Sequence, residues 1–131
     1  MSDKLFKVGE YVDRFNVLTG QNLPCGAVYQ SIGLAKHIEK RHPSEMGNLL
    51  KIPLVVSAPD YIGHNPKEPD SVELVKVLDG NVMVCIKLDV SDNLLYVASV
   101  FSISEGKLKN RLNSGRLISV SNVDNLQSHG I

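Results

Sequence analysis

Between residues 71 and 103 the chain reads SVELVKVLDGNVMVCIKLDVSDNLLYVASVFSI. Three runs rich in β-branched side chains, Ser71–Leu78, Val82–Val90 and Leu94–Ile103, are separated by turns too short for anything but antiparallel neighbours. Asp79-Gly80 is a hairpin signal because a tight two-residue turn needs residues tolerant of positive φ, and Ser91-Asp92-Asn93 serves the same purpose between the next two runs. With Tyr61–His64 as a first strand, this half of the chain predicts an antiparallel meander. Its faces can be assigned from the period of two. Val82, Val84, Ile86, Leu88 and Val90 alternate with Met83, Cys85, Lys87 and Asp89, so the first set should pack on helices and the second should face an open side. Val72 and Leu74 point inward by the same logic, which puts Glu73 on the open face with Lys87. Lys76 has the parity of Val72 and Leu74 and is expected to snorkel out at the sheet end.

The N-terminal half reads as helices. Val8, Tyr11, Val12, Phe15 and Leu18 recur at helical spacing and predict a helix over 9–19, stopped by Gly20. Residues 21–26 form a turn, and Ala27–Gln30 suits a short strand. Ser31 is an N-cap for the next helix, whose apolar stripe, at ~100° per residue, is Ile32, Leu34, Ala35 and Ile38. Pro43 ends it at His42. His42 falls near the middle of the stripe and His37 on its edge, beside Arg41. Ser44 caps a helix over 45–50, Pro53 suits the first turn of another over 53–58, and Ser104 caps a last one over 105–113. The expected architecture is an α+β domain over residues 1–118. N-terminal helices pack on a four-stranded antiparallel meander, a short C-terminal helix follows, and 119–131 is a flexible polar tail.

Composition narrows the function classes. The 131 residues suit one domain, and no apolar run nears the ~20 residues needed to span a membrane. The N-terminal residues lack the apolar core of a signal peptide, so a cytoplasmic location is expected. Lys+Arg and Asp+Glu are 14 each, which argues against a general nucleic-acid coat but leaves room for a local patch. Such a patch lies over 105–116, where Lys107, Lys109, Arg111 and Arg116 face one Glu105. Cys25 and Cys85 read as reduced thiols rather than a disulfide. No zinc spacing, P-loop or dinucleotide fingerprint is present, so no metal or other cofactor is expected.

Several segments carry a resemblance: GLAKHIEKRHP at 33–43, KIPLVVSAPDYIGHNP at 51–66, SVELVKV at 71–77, IKLDV at 86–90 and LYVASVFSI at 95–103. Together, over about residues 8–117, they resemble the phage-associated branch of the barnase–EndoU–colicin–RelE class of nuclease domains, which occur in large polyvalent proteins of phages and mobile elements. The His-x4-His pair followed by Pro-Asp-Tyr-Ile-Gly is its most specific part. The resemblance implies metal-independent RNA cleavage, in which the 2′-hydroxyl attacks the phosphate and a 2′,3′-cyclic phosphate results. Such chemistry needs a base, an acid for the 5′ oxygen, and cations for the phosphoryl oxygens. It distinguishes RNA from DNA through the 2′-hydroxyl.

His42 and His37 are the candidates for acid–base work; the alternatives are a histidine bonded to backbone at a helix end and a half-exposed surface histidine. Glu73 matches a base position of the wider class, or is a solvated strand residue. Lys87, Lys76 or Arg41 would hold phosphate, and Ser99 matches a Ser/Thr position on the last strand of the resembled family. Tyr61 would stack on a base or fill core space. Lys107, Lys109 and Arg111 would contact the backbone, or form a solvated face. His64 and Asn65 read as turn residues, and His129 as part of the tail.

RNA is the expected partner, with an inhibitor or immunity protein beside it, in a toxin-like or mobile-element setting. A second reading is a non-catalytic RNA- or protein-binding module of the same fold, which zero net charge and 5% aromatic content fit at least as well. A third, metal-dependent hydrolysis, is weak because the acidic residues are scattered. Convergence of His37 and His42 with Lys or Ser side chains within ~6 Å would favour catalysis.

Overall fold

The computed structural model describes residues 4–121. Its elements run β1 (Leu5–Tyr11), α1 (Asp13–Thr19), β2 (Gly26–Ser31), α2 (Ile32–Arg41), a 3-10 segment (Pro43–Lys51), α3 (Ile52–Ser57), β3 (Tyr61–Gly63), β4 (Ser71–Leu78), β5 (Gly80–Asp89), β6 (Leu94–Ile103), α4 (Glu105–Ser114) and β7 (Leu117–Ser119). The turn chemistry of 71–103 produces antiparallel pairs. β4 and β5 pair from Ser71 opposite Lys87 to Leu78 opposite Gly80, and β5 and β6 from Asn81 opposite Ile103 to Asp89 opposite Leu94. The two turns contain residues in the positive-φ region, Gly80 at 102° and Asn93 at 52°.

The expected four-stranded antiparallel meander under N-terminal helices is corrected. The sheet has seven strands in the order β1-β2-β6-β5-β4-β3-β7 and is mixed, because β2 runs parallel to β6 with Val28 opposite Leu95 and Tyr29 opposite Tyr96. The meander is its middle. The helix expected over 9–19 begins as strand β1, and the cause is a β-bulge. The β1–β2 register shifts between Lys7 and Gly9, so Val8 and Tyr11, three residues apart, are both buried in the same cluster. A bulged strand thus imitates helical spacing. Only Phe15 and Leu18 of that pattern belong to α1, which Gly20 ends in the left-handed region at φ 75°, its N–H bonded to the Asn16 carbonyl.

At the other edge, β7 pairs with β3, Ser119 lying opposite Tyr61 and Leu117 opposite Gly63. The polar tail read from Ser119 therefore begins inside a strand, and its residues from 122 on, His129 among them, lie outside the described residues.

The two sheet faces differ. Phe15, Leu34, Ile38, Ile52, Val55 and Val56, from α1, α2 and α3, pack with Val72, Leu74, Val84, Ile86 and Val97 in one apolar cluster. The opposite face holds a smaller cluster of Val75, Met83 and Ile103 under Leu108 of α4. The rest of that face is left to polar side chains. No helix among the described residues is long and apolar enough to cross a membrane.

Candidate active site

Strand register brings Ser99, Cys85, Glu73 and Gly63 into one row across β6, β5, β4 and β3, on the face opposite α2. Glu73 is only 5% exposed. A carboxylate removed from water this far needs charged partners. Arg116 supplies one: its Nε donates to Oε1 at 2.9 Å and its Nη2 to Oε2 at 2.8 Å, the bidentate geometry a guanidinium favours. Arg111 Nη1 stands 3.8 Å from Oε2.

Local sequence delivers both arginines. The Ser104 hydroxyl accepts from the Lys107 N–H and starts α4, Gly115 at φ 82° ends it, and Arg116 follows at once. The chain then crosses over Gly63. A Cβ there would lie 1.8 Å from the Arg116 carbonyl oxygen, so the glycine is what lets Arg116 approach Glu73.

The resulting cleft, about 320 Å³, is lined by Glu73, Cys85, Lys87, Ser99, Arg111 and Arg116. Lys87 Nζ meets Glu68 at 2.8 Å, and that bond pushes the ammonium pKa up. Burial pushes the Cys85 thiol up, partly offset by its bond to Ser99. The thiol is therefore a neutral wall rather than a nucleophile at neutral pH. Arginine, lysine and serine donors converging on a small polar space suit a phosphodiester.

A second cleft of about 800 Å³ adjoins the first and shares Asn65, Arg111 and Arg116 with it. His64 lines this second space, its Nε2 3.2 Å from the Glu68 carbonyl oxygen.

The structure brings together Glu73, Ser99, Lys87 and Arg111 of the residues singled out from sequence. It does not bring the others to them. His37, His42 and Arg41 are exposed on and just after α2, whose Leu34 and Ile38 pack against the other sheet face. Lys76 Nζ donates to the Ala58 carbonyl at 2.7 Å, and with Tyr61 it borders another cavity, about 1020 Å³. That cavity is bigger but has no buried charged side chain among its lining residues. The cleft around Glu73 is therefore the better candidate for chemistry. Lys107 is exposed on α4.

Arg116 was visible in the sequence only as one of a basic run, and the Gly-Arg step after a capped helix was its one local signal. His64 looked like a turn residue because its neighbours are Asn65 and Pro66. Among the described residues, no group of three or more His, Cys, Asp or Glu is placed to hold a metal ion.

Residues 6–110 match the family described as phage-Barnase-EndoU-ColicinE5/D-RelE like nuclease3. The chain belongs to this nuclease family. No curated protein and no solved structure matches it significantly. The family supports a nuclease function, with nucleic acid as the substrate class. The matched range of this nuclease domain contains Glu73, Lys87 and Ser99 and stops just before Arg111 and Arg116.

Proposed function

We propose that this nuclease domain is a metal-independent endoribonuclease that cleaves RNA by attack of the 2′-hydroxyl on the adjacent phosphorus. The observation that supports it best is the buried Glu73 carboxylate held by Arg116 and faced by Arg111 inside a cleft that also contains Ser99 and Lys87. A substrate phosphate competes for the Arg116 guanidinium and frees a carboxylate oxygen. Glu73 then takes the 2′-hydroxyl proton, the new bond from the 2′ oxygen to phosphorus forms, and the bond to the 5′ oxygen breaks. Arg111, Arg116 and Lys87 balance the charge on the phosphoryl oxygens, and Ser99 donates to one of them. His64, which lines the adjoining cleft, protonates the departing 5′ oxygen. The products are a 2′,3′-cyclic phosphate and a 5′-hydroxyl.

The test is cleavage of end-labelled RNA in EDTA by the wild type and by Glu73→Gln, His64→Ala, His37→Ala and His42→Ala. Glu73→Gln and His64→Ala should each lower the rate by ~10²–10⁴-fold, with the other two close to wild type. A contaminating ribonuclease would cleave equally in all five preparations. Loss in His37→Ala or His42→Ala, with Glu73→Gln active, would move the centre to α2.

One observation favours the second reading, a non-catalytic binding module: both Glu73 oxygens are already engaged by Arg116. Folded wild type that binds RNA and never cleaves it would support that reading.

A further inference from the structure

The open face carries a second polar row beside the one that holds Glu73. Lys7 lies opposite Tyr29 on β1 and β2, Tyr29 opposite Tyr96 on β2 and β6, Tyr96 opposite Lys87 on β6 and β5, and Lys87 opposite Ser71 on β4. The row therefore reads lysine, tyrosine, tyrosine, lysine, serine across five adjacent strands. Directly paired residues share a sheet face, and Lys87 lines the cleft around Glu73, so all five share the open face. Tyr29 and Tyr96 are half-buried and belong to neither apolar cluster, so their rings are not consumed in packing the core. Neighbouring strands place them ~5 Å apart, and two residues along a strand set this row ~7 Å from the Ser99–Cys85–Glu73 row.

Both lysines sit in pairs that a phosphate can displace. Lys7 bonds Glu10 with both side chains 53% exposed, and Lys87 bonds Glu68 with 34% and 49% exposed. Exposed pairs of this kind are worth little.

We propose that Tyr29 and Tyr96 form a stacking platform for unpaired bases next to the scissile phosphate, with Lys87 at that phosphate and Lys7 at a phosphate beyond the platform. The occupant is single-stranded RNA, because ring stacking requires bases released from a duplex, while the flanking cations match a polyanionic backbone. The inference deepens the ribonuclease reading and rests on it. It makes the enzyme tolerant of sequence and selective for unpaired segments, since every base has a face to stack.

The experiment measures binding of a short fluorescent single-stranded RNA to the Glu73→Gln protein by anisotropy, with Tyr29→Ala and Tyr96→Ala added in turn. Each should weaken binding about tenfold, whereas Tyr29→Phe and Tyr96→Phe should bind like the parent because the ring is kept. Cleavage of the same single-stranded RNA by the Glu73-intact alanine variants, at concentrations below the wild-type Kd, should fall in step with binding. If an alanine variant fails to fold, leucine at the same position fills the space without a stacking face and should show the same weakening. Alanine and leucine variants indistinguishable from the parent, in a protein that binds and cleaves RNA, would overturn the platform and leave the ribonuclease reading standing. A folded wild type that neither binds nor cleaves RNA would overturn both.

Discussion

The two faces of the same three central strands are built on different physics. On the helix side Val72, Leu74, Val84, Ile86 and Val97 are buried among the side chains of α1, α2 and α3. On the other side the alternate residues Glu73, Cys85, Lys87 and Ser99 border an ionic cleft only partly roofed by α4. The first face stabilises by removing apolar area from water, and its side chains need only fill space. The second holds a carboxylate that is tolerable only while arginines face it. The apolar core and the candidate site are thus separated by one residue of register: a slip of one position would drive Glu73 into the apolar cluster and expose Leu74.

The largest effect should come from the apolar face. Leu74 is fully buried, so Leu74→Ala should cost ~3–5 kcal/mol in a urea melt. Replacing Glu73 and Arg116 together by methionine and leucine should leave stability unchanged or raised while RNA cleavage disappears, because well-packed apolar pairs often match or exceed a buried ion pair. A double variant destabilised as much as Leu74→Ala would erase the contrast between the faces.

Gly63→Ala tests the link between them. Its new methyl meets Arg116 backbone rather than a yielding side chain, so β7 must shift, at ~1–3 kcal/mol. Cleavage should fall as the guanidinium leaves Glu73, and wild-type activity in this variant would show that the Arg116 position is not needed.

The smallest effect belongs to Cys85. Burial raises its thiol pKa, so the folded chain keeps the proton after the unfolded chain has lost it. Stability should therefore fall as pH rises past ~8.5, and Cys85→Ala should flatten that slope. At neutral pH an alkylating reagent should label the exposed Cys25 well before Cys85; equal rates would mean the cleft is more open than its buried thiol implies.

Elements whose signals are local were legible. The strands at 71–78 and 94–103, the turns at Asp79-Gly80 and around Asn93, the caps Ser31 and Ser104 and the stop at Gly20 match the structure. So does the outward direction of Glu73 and Lys87, because a period of two assigns faces without knowledge of the partner. β1 was not legible, since its bulge gave Val8 and Tyr11 the spacing of a helix. The candidate site was legible in part: Glu73, Lys87, Ser99 and Arg111 were singled out and line one cleft with Arg116, which was read only as part of a basic run, while His37 and His42 lie on and just after α2, away from that cleft.

What the amino-acid order determined by itself was everything that neighbours in the chain can enforce: turns, caps, alternation, and which strand residues share a face. Only the tertiary structure decided which strands flank the meander and which cations meet Glu73. The parallel β2–β6 pair, the docking of a three-residue β7 on β3 and the approach of Arg116 to a carboxylate 43 positions away depend on closing long loops. Their cost is repaid by burial summed over the whole sheet, so no short segment records them.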